Sequence, residues 1–514
     1  MKIIPLPNQY HLKYDVLIIN QNTKFNYALE LVQSAKEFKS YVFATTNIEL
    51  EQAEFAEINF VLDFSLELEE YHIEITENQL TLCARSDQGA FYGVQSLKQL
   101  LIAQDNHLEI RCGWIKDSPR FTYRGFMMDV ARHFFKKEII FRLIDLISFH
   151  KFNTLHLHLT DDQGWRIEIE KYPLLTEIGS SRQGTIQKDK TLDNHIHQGF
   201  YSKEDLKEIV AYAKSKFVEV IPEIDLPGHM NAMIAAYPNL SCRAEPIEVR
   251  TSFGINKTIL CAGNPQVYQM IEDILLEIID IFDSKYIHLG GDEAPTTYWK
   301  KCPKCQKMIK ENKLRDERQL QVFFFNHFAN FLKQHGKIAI GWNEVINQRL
   351  SNNVIIQHWK PFTNKKTVQA INNGRKTIIS NFFYLYLDYP YFMTPLQKTY
   401  NFNPVLKGVN QVDNIIGIEA PLWTEWVDNP AKIEFQVFPR LAAVAEVAWT
   451  NREFHDYDDF LVRLKSLTKF YQDNNVFYCH DFSRKPLLKR IKGTYRWIKY
   501  ENIEFHQNTR HYPK

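Results

Sequence analysis

The stretch SKEDLKEIVAYAKSKFVEVIPEID, residues 202–225, contains the unit that decides the fold. The apolar residues of its first half recur at helical spacing: Leu206, Ile209, Val210 and Ala213. This spacing predicts an amphipathic helix, and Ser202, followed three residues later by Asp205, predicts its capped start. The second half, VEVIPEID (218–225), is almost continuously apolar, which is typical of a parallel strand buried on both faces.

Seven further apolar stretches are of the same kind, and they complete a set of eight predicted strands. They are FMMDVA (126–131), TLHLHLT (154–160), YIHLGG (286–291), IAIGW (338–342), VIIQHW (354–359), TIISNFFYLYL (377–387) and IIGIEAPLW (415–423). Amphipathic helices alternate with many of these strands, which predicts an α/β fold, a (β/α)8 TIM barrel over residues 120–452. A doubly wound open sheet is the alternative, although no G-x-G-x-x-G motif follows any of the strands.

Two smaller regions flank the predicted barrel. Residues 1–119 predict an N-terminal α/β accessory domain, because they combine strand-like runs, an alternating hairpin pattern at 71–86 and a helical pattern. Residues 453–514 predict a C-terminal helical and basic extension packed on the barrel, with Trp497 and Tyr500 as its docking side chains.

Composition and charge argue against several classes of function. Lys and Arg number 62 and Asp and Glu 61, so the net charge of +1 offers no strong field for nucleic acid or an anionic membrane. No apolar run approaches the roughly 20 residues of a membrane-spanning helix, and the N-terminus lacks the apolar segment of a secretory signal. Seven cysteines, an odd number, fit a reducing compartment and predict a cytoplasmic protein. The oligomeric state is not determined, and a homodimer is left open.

Acidic, polar and aromatic residues cluster at the ends of the predicted strands, and Arg124 flanks the first of them. The residues at strand ends are Asp161, Asp162, His229, Asp292, Glu293, Trp342, Trp359, Tyr386, Asp388, Trp423 and Glu425. Barrel enzymes carry their catalytic groups at the C-terminal ends of the strands, so this set predicts one cleft with carboxylates and an aromatic wall. His156 or His158 alone is more typical of a barrel interior, whereas three tryptophans at strand ends favour a pocket.

Carboxylates beside indole rings suit glycoside hydrolysis, in which an acid protonates the leaving oxygen while flat rings hold the sugar. Most retaining enzymes need two carboxyl groups about 5–5.5 Å apart on opposite sides of the scissile bond, and the sequence neighbours Asp292 and Glu293 are poorly placed for that. We infer that Glu293 is the acid, that a 2-acetamido oxygen of the substrate is the nucleophile, and that Asp292 orients the amide. An isolated Asp-Glu pair is more often a surface pair, but Gly290-Gly291 at the end of an apolar strand favours function.

At these residues the sequence resembles the family 20 glycoside hydrolases, the β-N-acetylhexosaminidases, which are substrate-assisted exceptions among glycosidases. The motifs that carry the resemblance run along nearly the whole chain: YRGFMMDVARHF (123–134), LHLHLTDDQGWR (155–166), EIDLPGH (223–229), HLGGDEAP (288–295), GWNE (341–344), QHW (357–359), YLD (386–388) and EAPLWTE (419–425). The first 119 residues are similar to the α/β domain that precedes the barrel in many members.

The resemblance implies a role for each site residue. Glu293 is implied as the acid and base, with Asp292 as the residue that orients the acetamido group. Asp161 and His229 are implied to support Glu293. The implied substrate-binding residues are Arg124, Asp388 and Glu425 for the sugar hydroxyls, Trp342, Trp359 and Trp423 for the walls and floor of the acetamido pocket, and Tyr386 as a donor to the acetamido oxygen.

These roles imply an exo-acting, retaining β-N-acetylhexosaminidase that needs no cofactor for catalysis. Its expected substrate is an oligosaccharide or glycoconjugate with a terminal β-linked N-acetylglucosamine or N-acetylgalactosamine, cleaved through an oxazolinium intermediate. One alternative is a relative that releases a disaccharide or trims a polymeric amino sugar. Another is a catalytically inactive sugar-binding barrel, which is expected to lose its acid, yet Glu293 is present.

Four of the cysteines predict a separate, structural zinc site. Cys302 and Cys305 of CPKC follow the fourth predicted strand, and Cys242 and Cys261 lie in the preceding segment between strands. Because both segments lie beyond the C-terminal ends of strands, the four thiols can converge on one metal ion. Only one C-x-x-C is present where zinc motifs normally have two, so free thiols and disulfides are alternatives. The sequence contains no H-E-x-x-H motif, so no catalytic metal is indicated.

Overall fold

A computed structural model of the chain describes residues 1–482 and 485–499. The two largest hydrophobic cores within them are one in the N-terminal region and a larger one in the barrel region that follows. Tyr500 and the side chain of Trp497 lie outside the described residues, so their docking stays a prediction. In the described part of the chain, no helix combines the length and the apolar character needed to cross a membrane.

The N-terminal region is a sheet of eight strands with two helices. In chain order the elements are β1 (Gln9–Ile19), β2 (Lys24–Tyr27), α1 (Val32–Thr46), β3 (Glu51–Gln52), β4 (Ile58–Leu62), β5 (Tyr71–Ile75), β6 (Leu80–Ala84), α2 (Asp87–Leu100), β7 (Ile102–Gln104) and β8 (His107–Asp117). The strand order is β1-β8-β5-β6-β4-β2-β3, and β7 pairs with β8. The predicted hairpin is the antiparallel pair of β5 and β6.

Eight parallel strands close a barrel in the second region, as the alternating pattern predicts. They are β9 (Tyr123–Asp129), β10 (Thr154–His158), β15 (Glu219–Glu223), β16 (Tyr286–His288), β17 (Ile338–Trp342), β18 (Ile355–His358), β19 (Thr377–Ile379) and β20 (Ile415–Leu422). Each pairs with the next in this order, and β20 pairs with β9. Four two-residue strands form two small hairpins in the loops: β11 (Thr160–Asp161), β12 (Gly164–Trp165), β13 (Ser181–Arg182) and β14 (His197–Gln198).

Helices lie between the barrel strands. They are α3 (Lys137–Phe149), α4 (Leu174–Glu177), α5 (Lys203–Ser215), α6 (Asn231–Ala236), α7 (Pro265–Ile281), α8 (Pro303–Glu311), α9 (Glu317–Gln334), α10 (Asn364–Asn372), α11 (Phe382–Leu385), α12 (Leu396–Tyr400), α13 (Pro430–Val437) and α14 (Arg440–Trp449). The predicted capping box is confirmed at α5, because the Ser202 hydroxyl accepts from the Asp205 N–H and the Asp205 carboxylate accepts from the Ser202 N–H. The apolar stripe of α5 faces the core, with Leu206, Ile209 and Ala213 fully buried.

The stretch predicted as one long strand at 377–387 is instead a short strand followed by a helical turn. Strand β19 ends at Ile379, and Asn381 then caps α11 through a hydrogen bond from the Phe383 N–H to its side-chain oxygen at 3.1 Å. The aromatic run was therefore wrongly assigned to the sheet, because an Asn side chain that accepts from the backbone favours a helix start over a continued strand. Two more helices end the described chain, α15 (Tyr457–Asp473) and α16 (Leu487–Lys499).

Candidate active site

The C-terminal ends of the barrel strands bring nearly all of the predicted site residues together. Loops after β10, β15 and β16 supply Asp161, His229, Asp292 and Glu293, and the later strands supply the rest: Trp342, Trp359, Tyr386, Asp388, Trp423 and Glu425. These residues surround one cleft, because each contacts or electrostatically influences at least one other member of the set.

A buried chain of polar contacts leads from Asp161 to Glu293. Asp161 is 1% exposed, forms an ion pair with Arg132 Nη2 at 2.7 Å and hydrogen-bonds to His229 Nδ1 at 3.1 Å. The other ring nitrogen of His229, Nε2, lies 3.9 Å from Glu293 Oε2 and 3.8 Å from Asp292 Oδ2. Burial opposes the charged imidazolium, but Asp161 and the other nearby carboxylates outweigh it and raise the pKa of His229 well above its usual value. His229 is therefore a positively charged link between Asp161 and the carboxyl pair.

The loop after β16 is shaped by backbone conformations that most side chains avoid. Gly290 has a φ of +61°, Gly291 of +101° and Glu293 of +42°. A Cβ on Gly290 would lie 1.7 Å from Asp225 Oδ1, so glycine is required there for a close approach. The same oxygen of Asp225 accepts a hydrogen bond from the Gly291 N–H at 3.0 Å. Asp225 thus fixes the backbone from which Asp292 and Glu293 project.

Aromatic rings form a continuous wall beside Asp292. The centroid of the Trp423 ring is 6.1 Å from that of Trp342 and 6.2 Å from that of Tyr386, and Trp359 stacks on Tyr386 at 6.2 Å. Burial and the nearby Asp292 charge raise the pKa of Tyr386 well above its usual value. Its hydroxyl therefore keeps its proton and can donate a hydrogen bond into the cleft.

Apart from His229 Nε2, which faces the carboxyl pair, three buried polar atoms of the predicted cleft residues have no hydrogen-bond partner among residues 1–482 and 485–499: Asp292 Oδ1, Trp359 Nε1 and Asp388 Oδ1. An unpaired buried polar group costs about 1–3 kcal/mol, so such atoms are expected to be paired in the working complex. Two acceptors and one donor, set among flat rings, complement the amide and hydroxyl groups of an amino sugar.

Burial raises the pKa values of the cleft carboxyl groups. It raises the pKa of Asp292 to about 7, with the neighbouring Glu293 adding to the effect against the opposing charge of His229. It raises the pKa of Asp388 to about 8, where the charge of Glu425 adds to it, and it also raises the pKa of Glu425 itself. When these carboxyl groups are ionised, the cleft holds more negative charge than its own residues stabilise. Such a site favours a ligand that donates hydrogen bonds or carries positive charge.

Arg124 does not lie in this cleft, which corrects the prediction that it binds sugar hydroxyls. It is the second residue of β9, at the opposite end of the barrel, and it is 1% exposed. Its guanidinium donates to Glu69 Oε1 at 2.9 Å and to the Tyr92 hydroxyl at 2.9 Å, both in the N-terminal region. Arg124 therefore joins the two regions of the chain.

Arg132 is the arginine of the cleft, and the sequence analysis missed it. It follows the C-terminal end of β9, its guanidinium carbon lies 4.8 Å from the centroid of the Trp423 ring, and its Nη2 pairs with Asp161 at 2.7 Å. It belongs to the same motif as Arg124, YRGFMMDVARHF (123–134). The rule that places catalytic groups after the strands, applied to this motif, would have selected it.

Two histidines of β10 separate into different roles. His158 hydrogen-bonds to Glu223 Oε2 at 2.5 Å and to Asp161 Oδ2 at 2.8 Å, so it connects the barrel interior with the site. His156 lies wholly inside the barrel, 3.1 Å from Glu223 and 3.0 Å from Glu419. The interior position predicted for both is correct. His158 hydrogen-bonds to Asp161 of the cleft, whereas His156 reaches the cleft only through a ring contact with Trp342, at 6.3 Å between centroids.

Two kinds of side-chain cluster have metal-ligand geometry. The sulfur atoms of Cys242, Cys261, Cys302 and Cys305 all lie within 4.8 Å of one another. Histidine and carboxylate groups also converge in the barrel, and His158, Asp161 and Asp225 are one such set. The His158–Asp161 contact at 2.8 Å is a hydrogen bond, so a proton already joins these groups.

Comparisons with known proteins agree with this architecture. The family model described as "Glycosyl hydrolase family 20, catalytic domain" matches residues 121–452, and the model described as "Glycosyl hydrolase family 20, domain 2" matches residues 1–118. A β-hexosaminidase of Porphyromonas gingivalis is 36% identical over 494 residues, which cover 90% of this chain and 62% of that protein. A β-hexosaminidase of Akkermansia muciniphila is 33% identical over 420 residues, which cover 79% of this chain and 84% of that protein.

Solved structures are similar over almost the full length. The exo β-N-acetylglucosaminidase of Vibrio harveyi, solved in complex with N-acetylglucosamine, has a TM-score of 0.85 at 30% identity, covering 95% of this chain and 78% of that one. The β-N-acetylhexosaminidase of Bacteroides fragilis has a TM-score of 0.83 at 31% identity, covering 93% of this chain and 96% of that one.

Proposed function

The chain belongs to glycosyl hydrolase family 20, and we propose that it is an exo-acting, retaining β-N-acetylhexosaminidase whose nucleophile is the acetamido oxygen of its own substrate. The relatives described above are named for hexosaminidase activity, which supports the reaction class. The substrate is proposed to be a glycan with a terminal β-linked N-acetylglucosamine or N-acetylgalactosamine, and no cofactor takes part in the reaction.

The observation that carries the proposal is the position of the two carboxyl groups relative to one imidazole. Asp292 Oδ2 and Glu293 Oε2 lie 3.8 Å and 3.9 Å from His229 Nε2, so the two carboxyl groups of adjacent residues converge on one ring nitrogen. A protein nucleophile would have to stand across the sugar from the acid. Since the two carboxyl groups of this neighbouring pair converge on one imidazole, they are poorly placed to stand across a sugar ring from each other, which supports an attacking oxygen carried by the substrate itself.

In the proposed first step, Glu293 donates its proton to the glycosidic oxygen as the bond from that oxygen to the anomeric carbon breaks. The acetamido oxygen forms the new bond to the anomeric carbon and gives an oxazolinium intermediate. Asp292 accepts from the acetamido N–H and balances the positive charge that develops there, and the Tyr386 hydroxyl donates to the acetamido oxygen. Water then attacks the anomeric carbon as the bond from that carbon to the acetamido oxygen breaks, Glu293 takes a proton from the water, and the two inversions together retain the configuration.

The remaining cleft residues hold the terminal sugar. Arg132, Asp388 and Glu425 are proposed to bind the sugar hydroxyls, with Arg132 in the role first assigned to Arg124. Trp423 forms the floor, and Trp342 and Trp359 enclose the acetamido methyl group. Because charged groups close the pocket around one sugar ring, the enzyme is proposed to remove single terminal residues. The cytoplasmic location and the homodimer stay predictions.

A matched series of aryl glycosides tests the nucleophile. We expect rapid hydrolysis of 4-nitrophenyl N-acetyl-β-glucosaminide and a rate at least about 100-fold lower for the corresponding β-glucoside, since a barrier difference of about 2.7 kcal/mol corresponds to that ratio. Fluorine atoms in the acetyl group withdraw electrons from the acetamido oxygen, so kcat should fall stepwise from acetyl to trifluoroacetyl. Equal rates for the glucoside, or no dependence on fluorination, would refute the proposal.

The alternative functions differ in their products. Chromatography of a digested chito-oligosaccharide should yield single N-acetylglucosamine units, whereas a disaccharide-releasing relative yields dimers. An inactive sugar-binding barrel would bind N-acetylglucosamine without hydrolysing any member of the aryl series. Parallel assays with the glucosaminide and galactosaminide establish the preference at the 4-hydroxyl group.

A further inference from the structure

We propose that Cys242, Cys261, Cys302 and Cys305 bind one Zn²⁺ ion as four thiolates, in a structural site that joins the loops after β15 and β16. This site lies outside the sugar cleft, and no step of the proposed glycosidase reaction uses it. The proposal therefore stands or falls independently of the hydrolytic function.

The distances between the sulfur atoms match the ligand shell of zinc. The Sγ of Cys261 is 3.7 Å from that of Cys302 and 3.6 Å from that of Cys305, and Cys242 Sγ is 3.8 Å from Cys305 Sγ. Zinc–thiolate bonds of about 2.3 Å in a tetrahedron place neighbouring sulfur atoms about 3.8 Å apart. These three distances therefore match a tetrahedral zinc–thiolate site, and all four sulfur atoms lie within 4.8 Å of one another.

The same distances argue against disulfides. Cys305 contacts two other sulfur atoms at nearly equal distances, whereas a disulfide pairs each sulfur with one partner at about 2.05 Å. Among the described residues, Cys242, Cys261, Cys302 and Cys305 form no disulfide. A shared centre explains four sulfur atoms with several near-equal neighbours, and two separate bonds do not.

The surrounding backbone is built to bring the two loops together. A Cβ on Gly263 would lie 2.4 Å from the backbone nitrogen of Cys305, so glycine permits this close approach of the loops. Between the loops, the Trp299 indole donates to the Leu260 carbonyl oxygen at 2.8 Å.

Burial and charge favour a thiolate-bound cation at this place. Cys261 is 1% exposed, Cys302 6% and Cys305 fully buried, which protects the cluster from solvent. Cys302 is the N-cap of α8 and Cys305 lies in its first turn, where the helix dipole favours negative charge. The exposed lysines of the KKCPKCQK segment add positive charge beside a site that would carry a net charge of −2: Lys300, Lys301, Lys304 and Lys307. Thiolate ligands select zinc over the oxygen-preferring cations magnesium and calcium.

The position of the cluster gives the ion a structural purpose. The loop after β15 carries His229 and then Cys242 and Cys261, and the loop after β16 carries Glu293 and then Cys302 and Cys305. An ion bound by both loops would restrain the separation of His229 and Glu293 without contacting the substrate.

Metal analysis of the purified full-length chain tests the proposal. After expression in zinc-supplemented medium under reducing conditions, we expect close to one zinc per chain by plasma mass spectrometry. The variant Cys305→Ser should lose the metal. The control Cys83→Ser makes the same substitution at a half-buried cysteine of β6, in the N-terminal region, and should retain the metal. Absence of zinc from the wild type, iron in its place, or equal zinc in both variants would overturn the proposal.

Two measurements on the wild-type chain keep the test independent of how the variants fold. Titration with a mercurial thiol reagent should release one zinc as four thiols react, and replacement by Co²⁺ should give the visible absorption bands of tetrahedral cobalt–thiolate coordination. Mass spectrometry of the alkylated chain that finds disulfides among these four cysteines in the reduced, zinc-supplied preparation would refute the site.

Discussion

At the scale of single residues, the cleft depends on side chains held in unusual backbone conformations. His229 and Glu293 have φ values of +54° and +42°, a region that non-glycine residues adopt at a cost of about 1–3 kcal/mol each. The surrounding hydrogen bonds, including that of His229 with Asp161, maintain this strain. Both side chains are therefore already oriented before a sugar binds, which reduces the reorganisation required in the transition state.

Replacement of the acid should affect substrates according to their leaving groups. In Glu293→Gln the amide cannot donate a proton to the glycosidic oxygen, so kcat for natural linkages should fall by about 10²–10⁴-fold. A dinitrophenyl leaving group needs little protonation, and its cleavage should fall much less. Steady-state kinetics on both substrate types checks this, with Glu204→Gln, an exposed change in the first turn of α5, as the control. A uniform loss across leaving groups would contradict the role of Glu293 as acid.

The buried carboxyl group of Asp292 should make stability depend on pH. Burial raises its pKa from 3.8 to about 7, so folding takes up a proton between these values. The stabilisation from this proton is complete below about pH 4 and is lost as pH rises through about 7. In the absence of substrate, Asp292→Asn should therefore melt on the order of 2–4 °C above the wild type at pH 8, with a difference that shrinks toward pH 4.

Differential scanning calorimetry across pH 4–8 measures this effect, and Asp105→Asn in an exposed loop serves as the control. If Asp292→Asn melts below the wild type at pH 8, or if the control shows the same pH trend, then burial of the Asp292 charge is not the cause. Asp292→Asn should be more stable than the wild type and at the same time catalytically impaired. The carboxylate charge of Asp292 destabilises the empty cleft, but in the proposed mechanism it balances the positive charge of the intermediate.

At the scale of elements, the sequence predicted the barrel strands and the capped helix α5 better than it predicted the aromatic segment at 377–387. The apolar stripes and strands of the barrel follow from periodicity, and α5 begins at its predicted cap. The run at 377–387 was misassigned because β-branched and aromatic residues favour strands, while the local effect of Asn381 decided the structure. In the site, residue types at strand ends were sufficient to find the carboxylates and rings. The hydrogen bonds of Asp225 and His158 needed three-dimensional packing, since their partners are distant in sequence or lie on another element.

The loop after β16 provides a prediction at this scale. In Gly290→Ala the new Cβ would overlap Asp225 Oδ1, so the carboxylate must move and the hydrogen bond to the Gly291 N–H is lost. We expect both a loss of stability of about 2–3 kcal/mol and a fall in kcat of about 10-fold or more. Gly374→Ala is the matched control, because it has a φ of +91° but no atom within 4 Å of its Cβ.

Urea unfolding and initial rates on both variants separate backbone strain from steric displacement. The control should lose about 1–2 kcal/mol through its positive φ alone and keep full kcat. Equal kcat values for Gly290→Ala and the wild type would mean that the contact with Asp225 does not position the catalytic pair.

At the scale of the whole molecule, the N-terminal region packs against the end of the barrel opposite the cleft. Trp449 of α14 lies in the core of the N-terminal region, and Lys151 Nζ lies 3.2 Å from Asp117 Oδ2 and 4.3 Å from the centroid of the Trp449 ring. The pair Lys151–Asp117 is fully buried, so neither partner can be removed without leaving a charge in the interior. The two regions therefore stabilise one another through specific polar contacts as well as apolar packing.

The sequence predicted the two regions but not how they are connected. Arg124 lies at the interface and Arg132 in the cleft, although both belong to one twelve-residue motif. The assignment of Arg124 to the sugar failed because Arg124 precedes the strand predicted at 126–131 and so belongs to its N-terminal end, whereas barrel enzymes carry their catalytic groups at the C-terminal ends of the strands. Arg124 lies near the start of β9 and Arg132 lies just past its end. The seven residues between them span the length of the strand, so the two arginines lie at opposite ends of the barrel.

This separation predicts opposite phenotypes for two identical substitutions. Arg124→Met leaves Glu69 and the Tyr92 hydroxyl without their cationic partner, so the free energy of unfolding should fall by about 3 kcal/mol while KM stays within about twofold of the wild type. Arg132→Met removes a guanidinium from the cleft and from Asp161, so kcat/KM should fall on the order of 100-fold. Each substitution keeps a similar apolar stem, so the comparison isolates the loss of charge and hydrogen bonds.

Urea midpoints and kcat/KM for N-acetylglucosaminides, measured on both variants, distinguish the two positions. If Arg124→Met raised KM strongly at unchanged stability, the arginine at the start of β9 would have to act on the sugar after all, and the division of the barrel into a domain-binding end and a catalytic end would be wrong.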